Sequence, residues 1–217
     1  MALSSTILPV SSSDLHTIAD FVHCAKLCLT INRLVYKDWP AEAAQKRNST
    51  AAVESSFNDP SVECLKAVDD VSGEIVGFLA LTKKPPIDEE KPASGEAGED
   101  EQHPAEELNP TLYQAVSEAT TEIFKAARGT EHYELTYICV KPSSRNRGVG
   151  SQLVQVCFDR ARTAGIPLAL CSEPTAHDFF VNRGINDTGH VDIDLSQWAP
   201  AYCGFGTFRL TGMSWSD

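Results

Sequence analysis

Apolar residues recur along this chain with two different rhythms, and the switches between them lay out its elements. A short strand at Thr6–Pro9 is followed by Ser-Ser-Ser-Asp, a run of helix caps, after which Leu15, Ile18, Val22 and Ala25 share one helical face. A second helix is expected from Pro40 to Phe57, ending before Asn58-Asp59-Pro60. Residues 62–83 read as two strands around an Asp-Asp-Val-Ser-Gly turn. Asn109-Pro110 then opens a helix whose stripe is Leu112, Val116, Ala119, Ile123 and Ala127, with Gly129 as its stop. The run Tyr-Glu-Leu-Thr-Tyr-Ile-Cys-Val, 133–140, is a strand. A loop follows it, then a helix from Ser151 to Ala164 and a buried strand, Ile166–Cys171. Such a strand–loop–helix–strand unit calls for a parallel pair joined by a right-handed crossover. A short helix at Ala176–Arg183, stopped by Gly184, and strands at Gly189–Leu195 and Phe205–Trp215 complete the pattern. The fold class predicted is α/β (α+β): one mixed, twisted sheet of six to seven strands flanked by helices.

Composition changes this picture in two places. A chain of 217 residues is long enough to bury one core unaided, so 1–217 is expected to form a single domain. Within it, residues 85–109 hold nine acids against Lys91, together with Pro85-Pro86, Gly95, Gly98 and Pro104. This is the signature of an acidic, disordered insertion. It carries most of the net charge of −12, so the acidity does not mark a groove for cations. No basic stripe remains to bind nucleic acid. The seven cysteines are scattered without a C-x-x-C pair and mostly sit in apolar runs, which argues for a reducing, cytoplasmic setting and against a structural metal. The two sequons, at Asn48 and Asn186, would be chance matches there. The opening Met-Ala-Leu-Ser-Ser-Thr-Ile-Leu-Pro-Val lacks the basic start of a signal peptide, and no stretch is long enough to span a bilayer.

The chemistry concentrates in V-K-P-S-S-R-N-R-G-V-G-S-Q-L, residues 140–153. A helix start exposes unpaired N–H groups and the positive end of the helix dipole, so it receives phosphate well. Gly148 and Gly150 permit close approach and unusual backbone angles, and Arg145 and Arg147 supply fork-shaped donors for a diphosphate. No G-K-[ST] follows, so this is no Walker loop. Leu153 stands where a dinucleotide fingerprint needs its third glycine. The stretch resembles the Q/R-x-x-G-x-G/A acyl-CoA loop of the GCN5-related N-acetyltransferase (GNAT) superfamily, matched by Arg145-Asn146-Arg147-Gly148-Val149-Gly150 after Val140-Lys141-Pro142. Downstream, Ala176-His177-Asp178-Phe179-Phe180-Val181-Asn182-Arg183-Gly184-Ile185 resembles the superfamily's A-x-x-F-[YF]-x-x-x-G-[FI]. The order of elements matches over nearly the whole chain, the insertion and the helix after it excepted.

The resemblance implies a GNAT fold, with a splayed parallel strand pair that binds acyl-CoA. It implies acetyl-CoA as co-substrate and a primary amine of a small molecule as acceptor, joined by direct attack in a ternary complex without a metal. Ile138, Cys139 and Val140 would pair with the pantetheine arm through their backbones, and the amides of Asn146, Val149 and Ser151 would meet phosphate oxygens. The amine must be neutral to attack, so something must accept its proton. The family position for that base, eleven residues before the loop's first Arg, is Glu134; alternation would place it on one face with Thr136, Ile138 and Val140. His132 and Tyr133 are weaker candidates. The family's usual proton donor to the departing thiolate is a tyrosine, and here that position is Phe180. Water, Ser172 or His177 could replace it. Cys171 reads as a buried structural thiol rather than a nucleophile. Tyr36, Trp39, Trp198, Tyr202, Phe205 and Trp215 could wall an acceptor pocket, and Asp192 and Asp194 could draw a cationic acceptor, although packing and a solvated edge are the default readings. A degenerate acyl-CoA binder without turnover, or a protein lysine or N-terminal acetyltransferase, are the alternatives. The assembly expected is a monomer or homodimer.

Overall fold

The computed structural model describes residues 3–87 and 106–217. Seven strands form one sheet in the order β1-β2-β3-β4-β5-β7-β6. They are β1 (Ser5–Pro9), β2 (Val62–Asp69), β3 (Ile75–Lys84), β4 (His132–Val140), β5 (Leu168–Ser172), β6 (Asn186–Asp194) and β7 (Thr207–Trp215). Every neighbouring pair is antiparallel except β4–β5, which is parallel as the crossover pattern requires.

The helices are α1 (Leu15–Leu27), α2 (Asn32–Val35), α3 (Glu42–Asn58), α4 (Pro110–Arg128), α5 (Val149–Ala164) and α6 (His177–Val181). Only α2 has no counterpart in the periodicity, because four residues are too few to show one. Helix α5 packs Leu153, Val154, Cys157 and Ala161 on one face of the sheet. Helices α1 and α3 pack on the other, with Ile18, Val22 and Val53 against Phe78 and Ala80. Helix α4 covers β6 and β7, setting Leu112 and Ala119 against Ile193, Phe208 and Leu210. Asn109 caps α4 by accepting from the Leu112 N–H at 3.4 Å, with Pro110 at the first helical position.

Most of the expected acidic insertion, residues 88–105, lies outside the described residues. Its two flanks are anchored. The Ile87 N–H donates to the Arg128 carbonyl at 2.8 Å, and the Asn109 N–H to that of Val35 at 2.7 Å. Leu108 is buried beside Tyr36. No helix among the described residues is long and apolar enough to cross a membrane.

Strand β4 carries the feature on which the site depends. Ala80 of β3 faces Tyr137 and Leu81 faces Leu135, so Thr136 is an extra, bulged residue. The bulge reverses the alternation expected from sequence. Ile138 and Val140 pack with Leu135 toward α5, whereas Tyr137 and Cys139 face α1. Thr136 stays near Glu134's partner Thr82, at 3.2 Å between hydroxyl oxygens. Glu134 therefore does not share a face with Ile138 and Val140.

Candidate active site

The β4–β5 ladder holds for only three rungs, Tyr133–Leu168, Glu134–Ala169 and Leu135–Leu170. Beyond Leu135 the strands part. β4 continues to Val140 paired only with β3, and Cys171 and Ser172 of β5 pair only with β7. Among the described residues the backbone groups of β4 that point toward β5 have no strand partner along the split, and the Val140 carbonyl accepts from Arg145 Nε at 3.3 Å. Two cavities fill this wedge. The outer one, about 470 Å³, runs from Ile138, Cys139 and Val140 to the start of α5. The inner one, about 160 Å³, lies between Tyr137 of β4, Cys171 of β5 and Lys26 of α1. Ile138, Cys139, Glu173, Ala176 and Phe180 line both.

At the outer end the chain turns through a short 3-10 turn, Pro142–Ser144, into α5. Asn146 and Gly148 both take the left-handed conformation, at φ 58° and 94°. The first α5 residue bonded to a carbonyl is Gln152, whose N–H donates to Gly148 at 3.1 Å. The amides of Gly148, Val149, Gly150 and Ser151 have no backbone partner and no side-chain cap among the described residues. The two glycines serve different ends. A Cβ on Gly148 would meet open space, so its role is the positive φ; a Cβ on Gly150 would lie 3.1 Å from the Phe179 ring.

Of the predicted binding residues, Ile138, Cys139, Val140, Arg145, Asn146, Gly148, Gly150 and Ser151 line the outer cavity. Arg147 and Val149 do not. Arg147 is exposed and its carbonyl accepts from the Leu3 N–H at 2.9 Å. The Val149 side chain is buried in the core, which leaves only its amide to face a ligand.

One cation here went unnoticed in the sequence. The Arg183 guanidinium stacks on the Phe179 ring at 3.6 Å and donates to the Phe179 carbonyl and the Ser151 hydroxyl. Its Nε is buried with no hydrogen-bond partner among the described residues, and burial pulls the guanidinium pKa down. The signal available was its place four residues after Phe179, one helical turn on.

The inner end differs from the sequence expectation more. Glu134 lies within the last rungs of the ladder and lines neither cavity. Phe180 is buried edge-on against Phe179, with ring centroids 5.1 Å apart. His177 turns away and bonds Asp187 at 3.0 Å, in a separate cavity with His190 and Arg209. Ser172 is buried and donates to the Glu173 carbonyl at 3.1 Å. His132 is buried and its Nδ1 meets the Thr130 carbonyl, while Tyr133 packs into the core. Burial, with the nearby Glu173 and Glu134 charges, pushes the Cys171 thiol up to about 12; burial does the same to Cys139. Neither is a ready nucleophile.

What sequence reasoning missed is Glu173, one residue past β5. Its mostly buried carboxyl has no hydrogen-bond or ion-pair partner among the described residues. Burial raises its pKa, and the Lys26 ammonium offsets this in part. Tyr137 is also held above its usual range, first by burial. Lys26 Nζ sits 5.8 Å from the centre of its ring.

None of the six aromatic residues considered for an acceptor pocket lines either cavity. Tyr36 is core, Trp215 stacks on Phe158 at 4.4 Å, and the Trp198 Nε1–H donates to Thr111. Asp192 is paired with Arg209 and Asp194 accepts from Ser196, so neither acid is free. Among the described residues no group of three or more His, Cys, Asp or Glu could hold a metal ion.

A model of the acetyltransferase (GNAT) family matches residues 29–185. No curated protein matches the chain by sequence. Solved structures share its fold. A protein of the yellow fever mosquito Aedes aegypti named arylalkylamine N-acetyltransferase 7 superposes with a TM-score of 0.65 at 15% identity, covering 98% of this chain and 87% of that one. A mosquito arylalkylamine N-acetyltransferase like 5b gives 0.63 at 14%, covering 99% and 100%. The yncA protein of Salmonella typhimurium, solved with acetyl-CoA, gives 0.55 at 14%, covering 98% and 94%.

Proposed function

The chain belongs to the acetyltransferase (GNAT) family, and from that membership we propose that it moves the acetyl group of acetyl-CoA onto the primary amine of a small molecule within a ternary complex. The observation that carries this reading is the cleft from the free amides of α5, through the β4–β5 split, to the largely buried Glu173 carboxyl, which lines both of its cavities. The residues fit the coenzyme. An anionic oxygen at the start of α5 would satisfy amides that have no partner and would balance Arg145 and Arg183. The unpartnered Arg183 Nε is an orphaned donor of the kind such a ligand satisfies.

Along the split, the backbones of Ile138 to Val140 offer donors and acceptors to an amide-bearing arm, as an added strand would use them. Acetyl-CoA supplies an activated acyl group on a good leaving thiolate. The protein supplies orientation, a cleft for the thioester and proton handling. Glu134 is the proposed acceptor of the amine's proton; lying outside both cavities, it would act through water. The inner cavity has room for an acetyl group and the tip of an amine.

Titration calorimetry with acetyl-CoA tests the binding half, and the absence of heat would overturn it. Thiol release across a panel of amines tests the transfer half. Phe180, with no hydroxyl at the family's tyrosine position, is the one feature that favours binding without turnover, and tight binding with no thiol release would establish that reading instead.

A further inference from the structure

We propose that the Glu173 carboxyl is the proton donor to the coenzyme A thiolate, filling the part that Phe180 cannot play. The inference rests on the acetyl-transfer reading. With the diphosphate at the start of α5 and the arm along Ile138–Val140, the acyl end is directed into the inner cavity. Glu173 sits where the two cavities join, together with Ala176 and Phe180. It follows the last residue of β5, past the point where β4 and β5 have parted. Its carboxyl has no hydrogen-bond or ion-pair partner among the described residues, and Glu173 lines both cavities of the wedge.

The surrounding groups favour a neutral acid in this place. Lys26 of α1 is the cation that acts on it. Tyr137 and Cys139 of β4 and Cys171 of β5 face it as weak acids that stay protonated, and Arg145 and Arg183 lie further out along the cleft. Burial outweighs Lys26 and keeps the carboxyl protonated to higher pH than an ordinary glutamate. In the transfer step the amine nitrogen forms a bond to the acetyl carbon and the carbon–sulfur bond breaks. The sulfur leaves with the electron pair and takes the Glu173 proton. The nitrogen, which must lose a proton to become the amide, gives it through water to Glu134, and passage of that proton through water to the Glu173 carboxylate resets both groups. Charge and atoms balance without another reactant.

Two readouts test this. With an accepted amine, Glu173→Gln should lower kcat about 100-fold while acetyl-CoA affinity holds, and should abolish the fall of kcat at alkaline pH; Glu173→Asp should restore part of the rate. A kcat within about twofold of wild type with the same alkaline limb would overturn the proposal. The second readout needs no acceptor. Thiolate absorbance of bound coenzyme A, followed against pH, should show a lower thiol pKa in Glu173→Gln, because a neighbouring carboxylate no longer disfavours the anion. Identical titrations would place Glu173 away from the sulfur and sink the assignment. Should wild type acetylate no amine, the transfer reading fails by itself and the titration alone decides whether Glu173 meets the sulfur.

Discussion

The outer and inner ends of the cleft solve opposite problems. The outer end gathers donors: free amides at the start of α5, with Arg145 and Arg183 beside them. It is open to solvent, and its geometry is a property of six consecutive residues and one helix start. The inner end gathers weak acids, Tyr137, Cys139, Cys171 and Glu173, each shifted upward chiefly by burial. They come from two strands and the segment that follows β5, and a bulge aims one of those strands. A binding end of this kind tolerates side-chain change so long as the backbone keeps its shape. A reacting end depends on individual side chains and on the low dielectric around them.

The largest expected effect bears on the inner end. Glu134→Gln should lower kcat by about 100-fold or more and move the pH profile, with acetyl-CoA affinity unchanged. An unmoved profile would dismiss Glu134 and leave the proton traffic to residues inside the wedge. At the outer end, Gly148→Val forces a branched side chain onto a φ of 94°. The strain, about 2 kcal/mol, should weaken acetyl-CoA by roughly 30-fold in calorimetry. Retained affinity would mean that the loop's shape matters less than its charge.

Arg183→Ala should cost about tenfold in coenzyme affinity, more at low salt than at high. Arg183→Lys should fall between, because an ammonium lacks the fork and the stacking plane. An unchanged affinity in the alanine variant would show that the outer end works through backbone alone. The smallest effect is on stability. Glu173's pKa is raised on folding, so the acid form costs nothing extra at low pH, and a penalty accrues as pH rises through the folded-state pKa. Glu173→Gln should therefore match wild type below the ordinary glutamate range and melt higher above neutrality, by on the order of 1 °C. A difference that does not grow with pH would contradict the burial argument.

Particular residues show how far the sequence could be read. Asn109-Pro110 announced α4, and its cap is formed as written. The Arg-Asn-Arg-Gly-Val-Gly run announced the turn into α5, although it did not reveal that Gly150 makes room for Phe179 or that Arg147 does not line the cavity. The alternation of β4 misled. Thr136 bulges because β3 pairs past it, and nothing local in Leu-Thr-Tyr says so. Glu173 and Arg183 looked like ordinary charged residues on either side of a short helix.

By itself the sequence determined the order of elements, the parallel pair and the backbone shape of the phosphate-type loop. Hydrophobic period, caps and glycines act over a few residues, and their physics is complete within that window. The tertiary structure alone decided where β4 and β5 separate, which faces of β4 look into the gap, and which carboxyl lies largely buried there with no partner among the described residues. Those facts depend on register between strands distant in sequence and on desolvation by α1 and α6, and neither exists until the chain has packed.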